Sequence, residues 1–266
     1  MAITINPISP VAISVFGIDI RWYAIAYVVA FITCFWIFGR LTHRADATIT
    51  LDKKQNDDFM TAIILGVVIG GRLGYVLFYN LAFFIAHPLE IFAVWHGGMS
   101  FHGGLIGLVV ANFLFARRAR VNGWKLLDLA SVVTPLGLFF GRIANFINIE
   151  VMGRTSDVPW AVVFNGVSTT PRHPSPLYEA FGEGIVLFIT MMILYNKTKL
   201  KNHPGALTGI MGMLSAVIRI VCEIFRAPDA QIGFLTSWGL TMGQLLSVVL
   251  FTAGAIIFAH AIKKPR

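Results

Sequence analysis

The sequence predicts an all-α membrane protein of about seven transmembrane helices, with the N-terminus periplasmic, the C-terminus cytoplasmic, a small periplasmic cap and an interfacial arm. Three observations carry that prediction. Of 266 residues, 56% are hydrophobic and only 13% charged, with a mean hydropathy of +0.74, far from the balance of a soluble domain. The apolar residues come in long runs. All eight lysines fall into four short clusters between those runs.

The elements follow in chain order. No Lys or Arg precedes Arg21, so residues 1–19 lack the basic start of a signal peptide and are expected to be retained. Apolar runs near 22–39, 59–79, 102–116, 126–141, 176–195, 205–225 and 239–262 are the expected spans. The third and fourth are shorter than the roughly 20 residues that cross a bilayer and are expected to borrow length from glycine-rich neighbours. Residues 80–100 are too apolar for a free loop and are expected to lie along the outer membrane surface. Residues 142–175 are expected to form the cap. Cys34 and Cys222 lie inside apolar runs without metal-like spacing and read as packing residues, not a disulfide.

The basic clusters "GRLTHRADATITLDKK", "RRARVNGWK", "KTKLK" and "KKPR" are each separated by two spans, which puts all four on one side, the cytoplasmic one. The net charge of +8 is therefore mostly topological and points to no nucleic-acid partner. Every cation outside the clusters is arginine: Arg21, Arg72, Arg142, Arg154, Arg172, Arg219 and Arg226. Arginine keeps its charge in poorly hydrated places and presents a planar fork that matches phosphate.

Counted from the cytoplasmic ends of their spans, Arg72, His102, Arg142, Glu183 and Arg219 all lie about 21 Å deep in a core about 30 Å thick. Tyr23, Tyr75, Glu179 and Glu223 lie about a turn further out. Charges at such depth face a cavity or one another. Internal salt bridges are one reading, because Arg219 and Glu223, and likewise Glu179 and Glu183, are one turn apart. A functional cavity is the reading favoured for the whole layer.

"GRIANFINIEVMGR", residues 141–154, adds a guanidinium (Arg142), two amides (Asn145, Asn148), a carboxylate (Glu150) and Arg154, just beyond a helix expected to be interrupted at Pro135. These groups suit an anionic head group, with Glu150 orienting an arginine. An interfacial turn with capping amides reads equally well from the residues alone.

"GRIANFINIEVMG" resembles the signature of the bacterial prolipoprotein diacylglyceryl transferases. The likeness continues through "GGRLGYVLFYN", "GGMSFHGGLIG", "RHPSPLYE" and "RIVCEIFRAPDAQ", covering most of the chain from Trp22 to Gln244. The resemblance implies a seven-span enzyme of the bacterial inner membrane that moves the diacylglyceryl group of phosphatidylglycerol onto the lipobox cysteine of a prolipoprotein. A thioether forms and glycerol phosphate leaves. Its partners would be phosphatidylglycerol, prolipoprotein signal peptides and membrane lipids. No metal, nucleotide or other cofactor is implied, because the lipid carries its own leaving group.

In that chemistry the client thiol, with an ordinary pKa near 8.5, needs a base, and imidazole, near 6.5, is suited to the task. His102 is the expected base, its flanking glycines letting the chain approach a lipid head group. Arg142 and Arg219 are expected to stabilise the departing phosphate. Substrate binding is assigned to Tyr23, Arg72, Tyr75, Asn145, Asn148, Glu150, Gly153, Arg154, His173, Glu179, Glu223 and Arg226. Where many relatives have a tyrosine one turn before the span-six arginine, this chain has Ser215, so that phenol's role would fall to Tyr23 or Tyr75. A zinc site from His96, His102 and Glu150 is disfavoured, since no pair has helical metal spacing. The rival function is an anion or lipid-head-group transporter; against it, the halves do not mirror each other and the cytoplasmic half of the spans has no matching charged layer. A hydrolase lacks the G-x-S-x-G or H-E-x-x-H it would need.

Overall fold

Apolar runs too long to be strands fold as helices, because inside lipid a helix satisfies its own backbone groups. The computed structural model describes residues 2–94, 97–228, 233–237 and 239–263, apart from the side chains of Ile18 and Phe101. His96, Asp229 to Gln231 of the last motif, and Lys264 to Arg266 of the terminal cluster lie outside the described residues. The helices are α1 (Trp22–Thr42), α2 (Lys53–Phe78), α3 (Leu81–Ala86), α4 (Phe101–Ala119), α5 (Gly123–Ile147), α6 (Ser175–Glu179), α7 (Leu187–Lys197), α8 (Ala206–Phe225) and α9 (Met242–Lys263).

Among the described residues, six helices are long and apolar enough to cross a membrane: α1, α2, α5, the continuous helix Ser175–Lys197, α8 and α9. Helix α4 is not among them, since three glycines near its start and Arg117 and Arg118 in its last turn dilute its 19 residues. Large apolar side chains stand exposed along these helices, including Ile32 and Trp36 on α1, Leu65 and Ile69 on α2, and Val249 and Ile256 on α9. Contiguous exposure of that kind suits a lipid solvent, not water.

The chain divides into two compact units, Gly39–Leu127 and the remainder, Met1–Phe38 with Asp128–Arg266. In the first, Asp52 caps α2 by accepting from the Gln55 backbone at 2.7 Å while the Gln55 side chain accepts from the Asp52 backbone at 3.0 Å. Helices α2 and α4 then meet backbone to backbone. A Cβ added to Gly66 would lie 2.6 Å from the Gly107 carbonyl oxygen, and one on Gly74 would lie 2.7 Å from the Gly103 Cα. Small residues four apart permit that approach, as they do in membrane helix pairs generally. Gly103, beside His102, thus serves helix packing, where an added Cβ would run into the Gly70 carbonyl oxygen. From α2 the chain passes through α3 and a 3₁₀ turn, Pro88–Phe92, and returns to α4 by way of Gly97 and Gly98, both at positive φ.

The second unit opens with strands, so the protein is mostly, not wholly, helical. Strand β1 (Ile3–Ile5) pairs in parallel with β4 (Val162–Phe164), and β2 (Val11–Val15) with β3 (Ile18–Arg21) forms an antiparallel hairpin that runs straight into α1. Phe16 and Gly17 turn the hairpin at φ 50° and 78°, the left-handed pair that a two-residue connection favours. Helix α5 is not interrupted at Pro135 but continues to Ile147, so the connecting segment starts at 148 and Arg142 and Asn145 are helical, not part of a cap that begins at 142. Between α6 and α7 the residues Ala180–Val186 form a π-helical segment. Asp128 on α5 caps the start of α8: its carboxylate accepts from the backbone of Gly205 and Thr208 and from the Thr208 hydroxyl, each at 2.7 Å. Helices α8 and α9 pack through Gly209 and Gly254, where an added Cβ on either would lie 2.7 Å from the other's carbonyl oxygen.

Candidate active site

Three helices converge on Glu179, which is fully buried at the C-terminal end of α6. Its Oε2 lies 2.9 Å from Nε of Arg142 on α5 and 2.8 Å from Nη1 of Arg219 on α8, and its Oε1 lies 3.5 Å from Nη1 of Arg226. These are charge contacts rather than aligned hydrogen bonds. Arg142 Nη2 also donates to Glu183 Oε2 at 3.3 Å, and Arg219 Nη2 sits 2.9 Å from Glu223 Oε2 one turn along α8. Three arginines meet three glutamates, a formally neutral cluster in which one carboxylate draws two guanidiniums together against their mutual repulsion. The Arg219–Glu223 pair considered from spacing is therefore present within α8, while the contacts of Glu179 with Arg142 and Arg219 and of Glu183 with Arg142 link helices. Arg142 and Arg219 remain 22% and 17% exposed, so the cluster is open on one side.

Helix geometry builds this cluster. The π-helical segment carries Glu183, and its wider turn shifts the register of the helix between Glu179 and α7; such insertions are frequent at functional sites. Gly243 at the start of α9 makes room for Glu223, since an added Cβ there would lie 2.7 Å from the carboxylate.

Beyond α5 the chain turns sharply. Ile149 and Val151, both β-branched, adopt φ of 58° and 49° on either side of Glu150. That conformation costs on the order of 1–3 kcal/mol at each and persists only where surroundings impose it. Here the Glu150 carboxylate accepts from the side chains of Asn145 (2.9 Å) and Asn148 (3.4 Å), and buried Ser175 donates its hydroxyl to the Val151 carbonyl at 2.8 Å. Glu150 is thus held by two amides, and among the described residues no arginine is paired with it, where the sequence suggested one.

The segment 148–174 is tied to the end of α8. Gly153 lies so close that an added Cβ would be 2.5 Å from the His173 carbonyl oxygen and 2.6 Å from that of Phe225. Arg154 donates Nε to the Arg226 carbonyl at 3.0 Å and lies over the Phe234 ring at 5.4 Å. His173 Nδ1 is 3.1 Å from the Tyr178 hydroxyl. On α1, Tyr23 packs against Tyr27 with ring centroids 5.2 Å apart.

In the other unit, Arg72 is 5% exposed and aims its guanidinium at backbone: Nε donates to Ile91 (2.9 Å), Nη1 to Gly97 and Gly98, and Nη2 to Glu90 and Ala93 (3.2 Å). This clasp fixes the 80–100 arm on α2 and occupies the fork that was expected to bind substrate. Tyr75 stacks on Tyr79 at 5.6 Å and closes against Gly98. With Arg72, Asn80, Phe83, Phe84 and Glu90 it lines a cavity of about 250 Å³. His102 lies exposed in the first turn of α4, whose cap Ser100 accepts from the Gly103 backbone at 3.1 Å.

Sequence reasoning missed Ser175, Asp128 and the π-helical segment. Ser175 and Glu179 share the "HPSPLYE" run, whose prolines mark a helix start; nothing local signals the π turn.

A polytopic helical membrane protein with a mostly buried arginine–glutamate cluster beside a strained, amide-held turn is the class that fold and site define. The chain belongs to the prolipoprotein diacylglyceryl transferase family, whose profile matches residues 10–260. Relatives named phosphatidylglycerol–prolipoprotein diacylglyceryl transferase include those of Rhodospirillum rubrum, 48% identical over 98% of this chain and 94% of the relative, and Methylocella silvestris, 47% identical over 97% and 95%. That of Agrobacterium fabrum is 46% identical over 97% and 94%.

Proposed function

We propose that the chain transfers the diacylglyceryl group of phosphatidylglycerol to the lipobox cysteine of prolipoproteins, in the maturation of lipoproteins. The observation that carries this reading is the family match across residues 10–260, with nearly full-length relatives of that name. The thiol loses its proton, its sulfur forms a bond to the glyceryl carbon, and the bond from that carbon to the phosphate oxygen breaks. Glycerol phosphate leaves with the electron pair.

His102 takes the thiol proton, and Arg142 and Arg219 stabilise the phosphate as charge develops. The pairing with Glu179 supports this role, because it brings two guanidiniums to one place and orients them before substrate arrives. Both guanidiniums keep some exposed surface, 22% of the Arg142 side chain and 17% of that of Arg219, through which a phosphate could reach them. Asn145, Asn148 and Glu150 hold the turn beside them. Tyr23, Gly153, Arg154, His173, Glu223 and Arg226 are further substrate-binding residues of the same unit; in the other, Tyr75 binds substrate and Arg72 acts through the arm it clasps.

The protein sits in the bacterial inner membrane with α4 as the seventh span, N-terminus outside and site toward the periplasm. The lysine clusters support that orientation. Incubating the purified protein with phosphatidylglycerol and a lipobox peptide should add the mass of one diacylglyceryl group to the peptide. An unchanged peptide, with lipid or anion moving between compartments, would select a transporter. For topology, single cysteines near Asn122 and Asn202 should be shielded from an impermeant thiol reagent in intact cells, and one near Asp157 labelled. Equal labelling at all three sites would overturn the orientation.

A further inference from the structure

Next to the arginine–glutamate cluster, a chain of polar contacts in the 148–178 region begins at a group that can only donate. The indole Nε1 of Trp160 lies 2.7 Å from the Tyr178 hydroxyl, and that hydroxyl lies 3.1 Å from Nδ1 of His173. Indole N–H is a donor only, so Tyr178 accepts from Trp160, which leaves its own proton available to give to His173. Nδ1 is then an acceptor, and in the neutral ring the proton sits on Nε2.

The ring is held as well as polarised. It meets Tyr178 edge-on at 5.8 Å and Phe225 at 5.1 Å. The backbone is pinned on both sides, its N–H donating to the Arg154 carbonyl at 3.0 Å and its carbonyl accepting from Gly153 at 2.9 Å. Isolated backbone bridges adjoin it, Gly153 to Arg226 and Thr155 to Arg172, and Arg172 Nη1 donates to the Gly153 carbonyl at 3.0 Å. His173 is hydrogen-bonded through its backbone to Arg154 and follows Arg172 in the chain, and an N–H donor in so cationic a segment suits an anionic oxygen as its partner.

We propose that Trp160 and Tyr178 are positioning residues that hold His173 as the Nε2–H tautomer, so that it donates a hydrogen bond to an anionic oxygen of the lipid head group and does not act as a base. This rests on the transferase reading for the identity of the lipid, while the tautomer is measurable without it.

Ring-¹⁵N histidine spectra of the full chain in phosphatidylglycerol nanodiscs, with His173 assigned by its loss in His173→Gln, should show Nε2 protonated and Nδ1 bare. Trp160→Phe removes the N–H together with the five-membered ring of a half-exposed side chain, and Tyr178→Phe keeps its six-membered ring. Both should mix the tautomers. Tyr178→Phe should lower kcat/KM by roughly two- to twelvefold, the value of one neutral hydrogen bond, through a raised KM for lipid. His173→Gln, whose amide nitrogen falls near Nε2, should lose less than His173→Asn, whose nitrogen falls near Nδ1. An Nδ1–H ring in the parent protein, a tautomer indifferent to both phenylalanine variants, or a change confined to the KM for peptide would overturn the proposal. A protein with the expected tautomer that never lipidates the peptide would instead overturn the transferase reading.

Discussion

Replacing Glu179 by Gln keeps the shape of the side chain and removes the charge that three guanidiniums face at 2.8, 2.9 and 3.5 Å. The carboxylate is fully buried and its arginine partners are between 11% and 22% exposed, so solvent screens the loss only weakly. Glu183 and Glu223 still balance two of the cations, leaving one net positive charge in a low-dielectric place. Removing one member of a buried ion pair costs about 3–5 kcal/mol. At about 2–4 °C per kcal/mol for chains of this size, the unfolding temperature should drop by roughly 6 to 20 °C. Cys222, buried on α8, supplies the probe: a thiol-reactive fluorophore should label it at lower temperature in the variant. Transfer should fall as well, because Arg142 and Arg219 lose the group that aligns them. Arg226→Gln, whose contact with Glu179 is the longest of the three at 3.5 Å, should disturb the cluster less. If Glu179→Gln unfolds with the parent protein and keeps its rate, the cluster neither holds the helices together nor prepares the arginines.

Arg142→Lys and Arg219→Lys each replace two nitrogens aimed at two carboxylates with one, and should each lose a charge-assisted contact of about 1.5–3 kcal/mol, a roughly 10- to 150-fold fall in kcat. Arg154→Lys, which holds backbone, should be gentler; the opposite ranking in steady-state kinetics would move the reacting phosphate toward residue 154. His102→Gln should insert normally yet lose roughly 10²- to 10⁴-fold in rate, with partial recovery as rising pH generates client thiolate unaided; full activity near neutrality would remove His102 from the base role. Gly103→Val should separate α2 from α4, since even a Cβ there meets the Gly74 Cα at 2.9 Å, and should cost at least the 1–3 kcal/mol typical of overpacking. Crosslinking between cysteines engineered on α2 and α4 reads that separation, and unchanged efficiency would refute backbone-to-backbone packing.

The membrane class of this protein is written in its sequence because hydropathy is a local property: a run of apolar residues needs no partner to prefer lipid. Motif order and the arginine-only set were legible for the same reason, and they led to the family. Spacing alone also offered the Arg219–Glu223 pair. What only the tertiary structure decided is who faces whom. Arg72 and Arg142 have the same chemistry in the sequence, yet the first spends its donors on the carbonyls of residues 90–98 while the second meets Glu179 and Glu183. Glu150 lies in an arginine-rich motif and is held by Asn145 and Asn148. The first 21 residues, too short and mixed to declare a structure, become strands because Ile3 to Ile5 find Val162 to Phe164 some 160 positions away. Gly103 was explained from the neighbouring histidine outward, when it packs on Gly70 and Gly74 of another helix. A side chain's partner is set by long-range packing, which its neighbours in sequence do not encode.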